Sequence, residues 1–305
     1  KAPKSALMVL ETKSITLPAI QPTPSKSPIQ LLSSLAIVGA GAGVAARSPF
    51  DPAAHLRLMV DGRHVGWLPR KHADILAGFD GVLGQPDGQG AITLLPGCTT
   101  VPARNAALAT LATQLADAGH VRGWRNELFA VTPALEAKPL AVIERAAARF
   151  LGLLTFASHM NGIVAGQRAL WISRRSPRKA VDPGMWDNLV AGGMPAGSDP
   201  LETLVRECDE ESGIPPALAS QAEAHGVIDV LREIPEGVQW ERVYVYDLML
   251  PADFVPHNRD GEVAEHRHID PEALLAIMAD CAMTVDATLV TLDALRRRGW
   301  AGIQP

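Results

Sequence analysis

Residues 191–214 read AGGMPAGSDPLETLVRECDEESGI, and the rest of the chain is read outward from this stretch. Asp199 precedes Pro200, and Glu202 follows three positions on. That is the pattern of a capped helix start: the aspartate accepts an otherwise free backbone N–H, proline fits the first helical position, and the glutamate reciprocates. Gly213 supplies the stop, because the residue past a helix C-terminus often turns left-handed, which glycine does without steric cost. The pattern predicts a helix over 200–212. At about 100° per residue, Glu207, Glu210 and Glu211 share one sector through their i, i+3 and i+4 relation. Leu201, Leu204, Val205 and Cys208 fill the neighbouring sector. One face is therefore set to pack and the other to present carboxylates.

Like charges at these spacings cost about 0.2–0.5 kcal/mol per pair on an exposed helix, which a cation would offset. Hard carboxylate oxygens suit Mg²⁺ or Mn²⁺, ions that also bind phosphate oxygens. Such an ion neutralises charge on a diphosphate and lowers the pKa of a bound water, easing attack at phosphorus. Arg206 lies one step round the helix, where it pairs with and orients a helix carboxylate or reaches a phosphate. Gly192, Gly193 and Gly197 permit a close backbone approach just before the helix. Composition and helical geometry alone leave two readings open: a divalent-metal site, or a solvated charged face.

The whole chain narrows the class of molecule. Its 305 residues favour two domains. With 47% hydrophobic residues, 20% charged residues and a net charge of −5, it is neither a disordered chain nor a basic nucleic-acid binder. Cys98, Cys208 and Cys281 are far apart, which argues against a disulfide or zinc framework and for a reducing, cytoplasmic setting. No run reaches the roughly 18 apolar residues of a membrane span, so no stable membrane insertion is expected. Residues 31–46 are the nearest approach, and the Pro, Ser and Thr-rich lead before them suits a tail better than a targeting segment.

Three parts are expected: an extension over 1–48, an α+β accessory domain over 49–147, and a catalytic domain over 148–305. Residues 56–60 and 64–68 read as a hairpin about Asp61-Gly62, and 72–79 as a short helix. A strand over 91–95, a helix over 101–118 and a helix over 138–150 follow. Beyond these come strands over 169–173, 226–231 and 242–250, then helices over about 271–280 and 286–298.

In its order and spacing the 192–214 segment resembles the Nudix box. Gly192 takes the leading glycine, Arg206 and Glu207 the Arg-Glu pair, Cys208 the aliphatic place, Glu210 and Glu211 the acidic pair, and Gly213 with Ile214 the end. Ser198 stands where the box has its first glutamate. Residues 171–179, 183–193, 202–208, 250–256 and 260–263 are similar to the Nudix branch related to the hydrolase part of fungal thiamine pyrophosphokinase fusion proteins. Val65-Gly66-Trp67 and Trp124-Arg125-Asn126-Glu127 resemble the domain that precedes the Nudix domain in that branch.

The resemblance implies an α/β/α sandwich with a mixed sheet behind a smaller α+β domain, in a Mg²⁺-dependent (or Mn²⁺-dependent) hydrolase of the pyrophosphatase type. It implies hydrolysis of a thiamine diphosphate analogue, especially an oxidised or oxy form, to the monophosphate and phosphate. A nucleoside diphosphate derivative is the alternative substrate, and a non-catalytic module binding a diphosphate metabolite is the alternative function, which Ser198 keeps open. Glu207, Glu210 and Glu211 are the expected metal ligands, Glu262 an additional one, and Arg206 the residue that orients the acids. Arg174, Arg175, Arg178 and Lys179, with Gly192 and Gly193, are the candidates for substrate contacts. Trp124, Trp186 and Trp240 are stacking candidates, although an amphipathic Trp is more often a packing anchor. His159 and Asn161 are candidates for shaping the pocket, and a homodimer is compatible with the family. His266 and His268 lack the HExxH relation of a helical zinc site, and no Gly-rich loop ending in Lys-Ser/Thr is present.

Overall fold

The computed structural model describes residues 50–300 and Gly302. The extension expected over 1–48 lies outside the described residues. The N-terminal unit begins with a hairpin, β1 (His55–Val60) and β2 (Arg63–Pro69), whose Asp61-Gly62 turn has φ of 49° and 70° at its two corners. Positive φ at both corners matches the twist of the strands, which is why Asp-Gly suits this turn. A helix over Arg70–Leu76 follows, and β3 (Ala91–Thr93) adds parallel to β1. The helix Val101–Asp117 is capped by Thr100 and tied to the second hairpin by Asn105, which accepts the Val142 N–H at 2.8 Å.

Residues 138–150 are not one helix as expected. β4 (Leu128–Val131) pairs antiparallel with β5 (Ala141–Glu144), and only Arg145–Leu151 is helical. Ala141 and Ile143 face the core in alternation beside Phe129 and Val131, so cross-strand packing overrides the helix propensity of the run.

The second unit is a seven-stranded mixed sheet with the path β10-β11-β6-β7-β12, β9 pairing with β6 and β8 with β7. Its strands are β6 (Leu154–Val164), β7 (Leu170–Arg175), β8 (Trp186–Asn188), β9 (Val190–Gly193), β10 (Glu223–Ile234), β11 (Gly237–Leu250) and β12 (Val263–Ile269). β6 runs parallel to β11, and the remaining pairings are antiparallel. On one face Ile172, Val230, Val243 and Val245 pack against the helices Pro271–Ala279 and Val285–Arg297. On the other, Met160, Val190, Tyr246 and Leu248 pack against Leu204 and Cys208 of the helix Pro200–Ser212. Helices on both faces make an α/β/α sandwich behind a smaller α+β unit.

The two units are joined at backbone level. Gly152 ends the helix Arg145–Leu151 in a left-handed turn (φ 63°), and its carbonyl accepts the Trp67 N–H at 2.8 Å. A Cβ on Gly152 would overlap the Trp67 carbonyl, so glycine is required both for conformation and for space. His64 stacks on Trp240 with ring centroids 5.0 Å apart, closing the same seam.

Candidate active site

The helix Pro200–Ser212 starts as its sequence dictates: Asp199 accepts the Glu202 N–H at 2.8 Å and Glu202 accepts the Asp199 N–H at 3.3 Å. Such a cap contributes about 1 kcal/mol and fixes the rotational setting of the acids that follow. Ser198, in place of the box glutamate, sits in the turn before the cap, its N–H donating to Pro195 O. Glu207 lies flat on β9, where a Cβ on Gly192 would overlap its Cγ. Glu211 also turns to β9, Oε2 accepting the Ala191 N–H at 2.9 Å. Glu210 instead points outward and is 42% exposed, held by Arg206 Nη1 at 3.0 Å, while Arg206 Nη2 approaches Glu207 Oε1 to 2.7 Å. Arg206 therefore straps two of the three acids together.

Glu207 and Glu211 are buried beside one another, at 8% and 5% exposure. Burial pushes the Glu207 carboxyl up to about 7, against the pull of Arg206. Glu211 is raised well above the ordinary range by burial and then by the charge of Glu207. Buried acids in this state are under-compensated by the protein. Among the described residues, no group of three or more His, Cys, Asp and Glu side chains is arranged as a metal cage. The donor set nevertheless fits a hard divalent cation through two carboxylates: an ion beside Glu207 and Glu211 would supply the missing positive charge, as oxygen-donor sites for Mg²⁺ do with few protein ligands.

Beside β9 is a cavity of about 420 Å³ whose walls come from both units. The second unit lends Thr155, Ala157 and His159 from alternate positions of β6, together with Gly192 and Gly193. Arg175 and Lys179 reach it; Arg174 and Arg178 do not line it. Arg174 instead donates to Gly184 O at 3.0 Å and lies over the Trp186 ring, and Arg178 is exposed. Arg175 is paired with Asp187 at 2.8 Å. Lys179 pairs with Glu262 Oε2, and Arg125 meets Glu262 Oε1 at 2.8 Å. Although burial opposes it, these two cations hold the Glu262 carboxyl below its ordinary range, and both of its oxygens are engaged by them.

Trp124, Trp186 and Trp240 do not line the cavity. Trp186 is buried under Arg267, and Trp240 serves the seam between units. His159 does line it, its Nδ1 2.9 Å from Asn188 Oδ1, whereas Asn161 donates to Asp247 at 2.9 Å in the buried polar core.

The cavity also contains residues that the sequence does not single out. Glu241 and Asp286 are bridged by one amide: Gln239 Nε2 donates to Glu241 Oε2 at 2.8 Å and to Asp286 Oδ2 at 2.6 Å. Asp286 Oδ1 is buried without a hydrogen-bond partner, and burial with the neighbouring Glu241 pushes this carboxyl up to about 6. Glu241 is held low by Arg149 and Gln239 against the effect of burial. In sequence Asp286 is an ordinary first-turn helix acid and Glu241 one polar residue of a strand, so nothing local marks them. From the first unit come Arg122, Arg125, Phe129, Arg145 and Arg149.

Residues 159–288 match the family model described as the NUDIX domain, and residues 42–155 match a domain of unknown function (DUF4743). The chain is 36% identical over 244 residues to Nudix hydrolase 24, chloroplastic, of Arabidopsis thaliana, covering 79% of this chain and 67% of that protein. It is 40% identical over 200 residues to Nudix hydrolase 20, chloroplastic, of the same plant, and this match spans 65% of the chain but only 54% of the relative. It is also 34% identical over 164 residues to the uncharacterized Nudix hydrolase PA4841 of Pseudomonas aeruginosa, covering 52% of this chain and 89% of that protein. With the capped acidic helix lying on a glycine strand of an α/β/α sandwich, these matches establish that the chain belongs to the Nudix hydrolase family.

Proposed function

We propose that the chain hydrolyses the diphosphate linkage of a thiamine diphosphate analogue, in particular an oxidised or oxy form, giving the monophosphate and inorganic phosphate. The observation that carries this reading is the mixed polarity of the cavity. Arg145 and Lys179 lie near Glu207, where a diphosphate belongs. Glu241 and Asp286 form a separate acidic patch in the same cavity, with Asp286 Oδ1 lacking a donor. A buried acceptor of this kind favours a ligand head with N–H donors or positive charge, because leaving it unsatisfied costs about 1–3 kcal/mol. Thiamine offers both through its aminopyrimidine and its thiazolium; an oxy form keeps the thiazolium charge and a ring N–H, and a form oxidised on the thiazole keeps the amino donors.

Glu207 and Glu211, with Glu210 supporting through Arg206, are assigned to hold Mg²⁺ or Mn²⁺. When bound, the ion supplies charge neutralisation at the diphosphate and a more acidic water. The chain's own residues do the rest: Arg175 and Lys179 bring positive charge to the phosphates, and Glu262 keeps Lys179 in place. Gly192 leaves room for Glu207 against the strand, and Gly193 does the same for Phe129 and Arg145, while both glycines line the cavity.

Binding without cleavage is the second reading, supported by Ser198 in the box and by the lack of a three-acid metal cage among the described residues. The test is Mg²⁺-dependent phosphate release from thiamine, oxythiamine, nucleoside and ADP-sugar diphosphates. The thiamine class is expected to have the highest kcat/KM. Glu241→Gln and Asp286→Asn are expected to raise its KM about tenfold, with a smaller effect on the nucleoside class. Preference for nucleoside diphosphates would remove the substrate assignment, and binding without turnover across the panel would favour the second reading.

A further inference from the structure

Two adjacent glycines of β9 face opposite sides of the sheet. Gly192 is covered by Glu207; Gly193, one position on, is covered by the N-terminal unit. A Cβ on Gly193 would lie 2.9 Å from Phe129 Cζ and 3.4 Å from both Cζ and Nη2 of Arg145. The N-terminal unit thus closes on the strand that carries Glu207 on its other face, and it does so with a cation.

Arg145 is the first residue of the helix Arg145–Leu151. Its Nη1 donates to Glu127 Oε2 at 2.7 Å, and the guanidinium lies 5.4 Å from the centre of the Phe129 ring. These contacts fix where the group sits but use one terminal nitrogen, and Glu127 is the side chain's one hydrogen-bond partner among the described residues. The side chain remains 36% exposed and lines the cavity. A pre-set guanidinium with a free N–H edge suits phosphate oxygens better than an ammonium would.

Accepting the diphosphate reading above, we propose that Arg145 is a substrate-binding residue. Its guanidinium takes non-bridging oxygens of the diphosphate in the cavity that Arg145, Lys179 and Gly193 line, so the N-terminal unit forms part of the catalytic cleft. From the sequence, Trp124 is the one candidate that this unit offers to the site, and it does not line the cavity; the distance of Arg145 along the chain from the box conceals its contact.

The test uses the full chain as wild type, Arg145→Gln, Arg145→Lys and Glu127→Gln. Each is titrated calorimetrically with methylenediphosphonate, a diphosphate that cannot be hydrolysed, in the presence of Mg²⁺, and thermal unfolding is recorded in parallel. Arg145→Gln is expected to weaken binding roughly 10- to 100-fold with an unfolding temperature close to wild type. Arg145→Lys is expected to recover part of the loss, and Glu127→Gln to lose less than Arg145→Gln. Equal affinity of wild type and Arg145→Gln would overturn the proposal. So would equal losses of affinity and unfolding temperature in Arg145→Gln and Glu127→Gln, the signature of a structural pair, or no binding to wild type. On any diphosphate that wild type cleaves, Arg145→Gln should raise KM more than it lowers kcat. Because methylenediphosphonate binding needs no turnover, failure of this proposal leaves the hydrolase reading intact. Arg145-dependent binding without turnover would defeat that reading alone.

Discussion

Glu207 with Glu211, and Asp247, are buried carboxylates in one unit, yet the protein treats them differently. Asp247, on β11, is 4% exposed and is met by Arg297 at 2.7 Å, Arg298 at 3.2 Å and Asn161 at 2.9 Å. Burial works to raise its pKa, but Arg297 and Asn161 hold the carboxyl below its ordinary value of 3.8. Glu207 has one close cation and Glu211 a single backbone N–H, and both carboxyls are pushed up. A buried charge whose partners are all within the chain is complete and serves the fold. One left short of positive charge stores a demand that a ligand meets, and for Glu207 and Glu211 the ligand proposed above is a divalent cation.

The comparison breaks most sharply on stability. Asp247→Asn leaves Arg297 and Arg298 facing a neutral group and is expected to cost about 3–5 kcal/mol in denaturant unfolding, whereas Glu211→Gln is not expected to destabilise the metal-free protein. A loss as large in Glu211→Gln would erase the distinction.

Mg²⁺ should separate the two sites next. At a concentration of about 100 times its dissociation constant, an ion that binds only the folded chain adds about 2.7 kcal/mol. Thermal unfolding of wild type and Asp247→Asn should both shift upward with Mg²⁺, while Glu207→Gln and Glu211→Gln shift little. A Mg²⁺ shift retained in both glutamate variants would move the cation elsewhere.

A smaller effect concerns pH. Because Asp247 titrates lower in the folded chain than in the unfolded one, its contribution is present above about pH 3.8 and is lost as pH falls through its folded pKa. Between pH 5 and pH 2, wild type should lose more stability than Asp247→Asn, measured by denaturant midpoints. Parallel curves would show that Asp247 is not the compensated group described.

Much of the acidic helix was legible in the sequence because its signals are local: Asp199 and Pro200 start it, Gly213 stops it, and the spacing of the acids fixes their face. β6 was not legible. All eleven of its residues are buried, so it lacks the alternation of a half-buried strand, and its Thr155, Ser158, His159 and Asn161 mask the apolar run. The basic stretch was read as one group of four, but neighbours in a strand point to opposite faces, which takes Arg174 outward and Arg175 into the cavity. Arg145, Glu241 and Asp286 come to the cavity from three elements far apart in the chain, and only the tertiary fold brings them together.

The most direct measurement is Mg²⁺-dependent phosphate release by wild type, Glu211→Gln and Asp247→Asn, at a temperature where all three are folded. The substrate is whichever diphosphate of the panel wild type cleaves fastest. Loss of a cation-holding carboxylate is expected to lower kcat at least about 100-fold in Glu211→Gln, with Asp247→Asn staying within a few-fold of wild type. Wild-type turnover in Glu211→Gln would contradict the assignment of the buried acid pair as the hydrolytic metal centre.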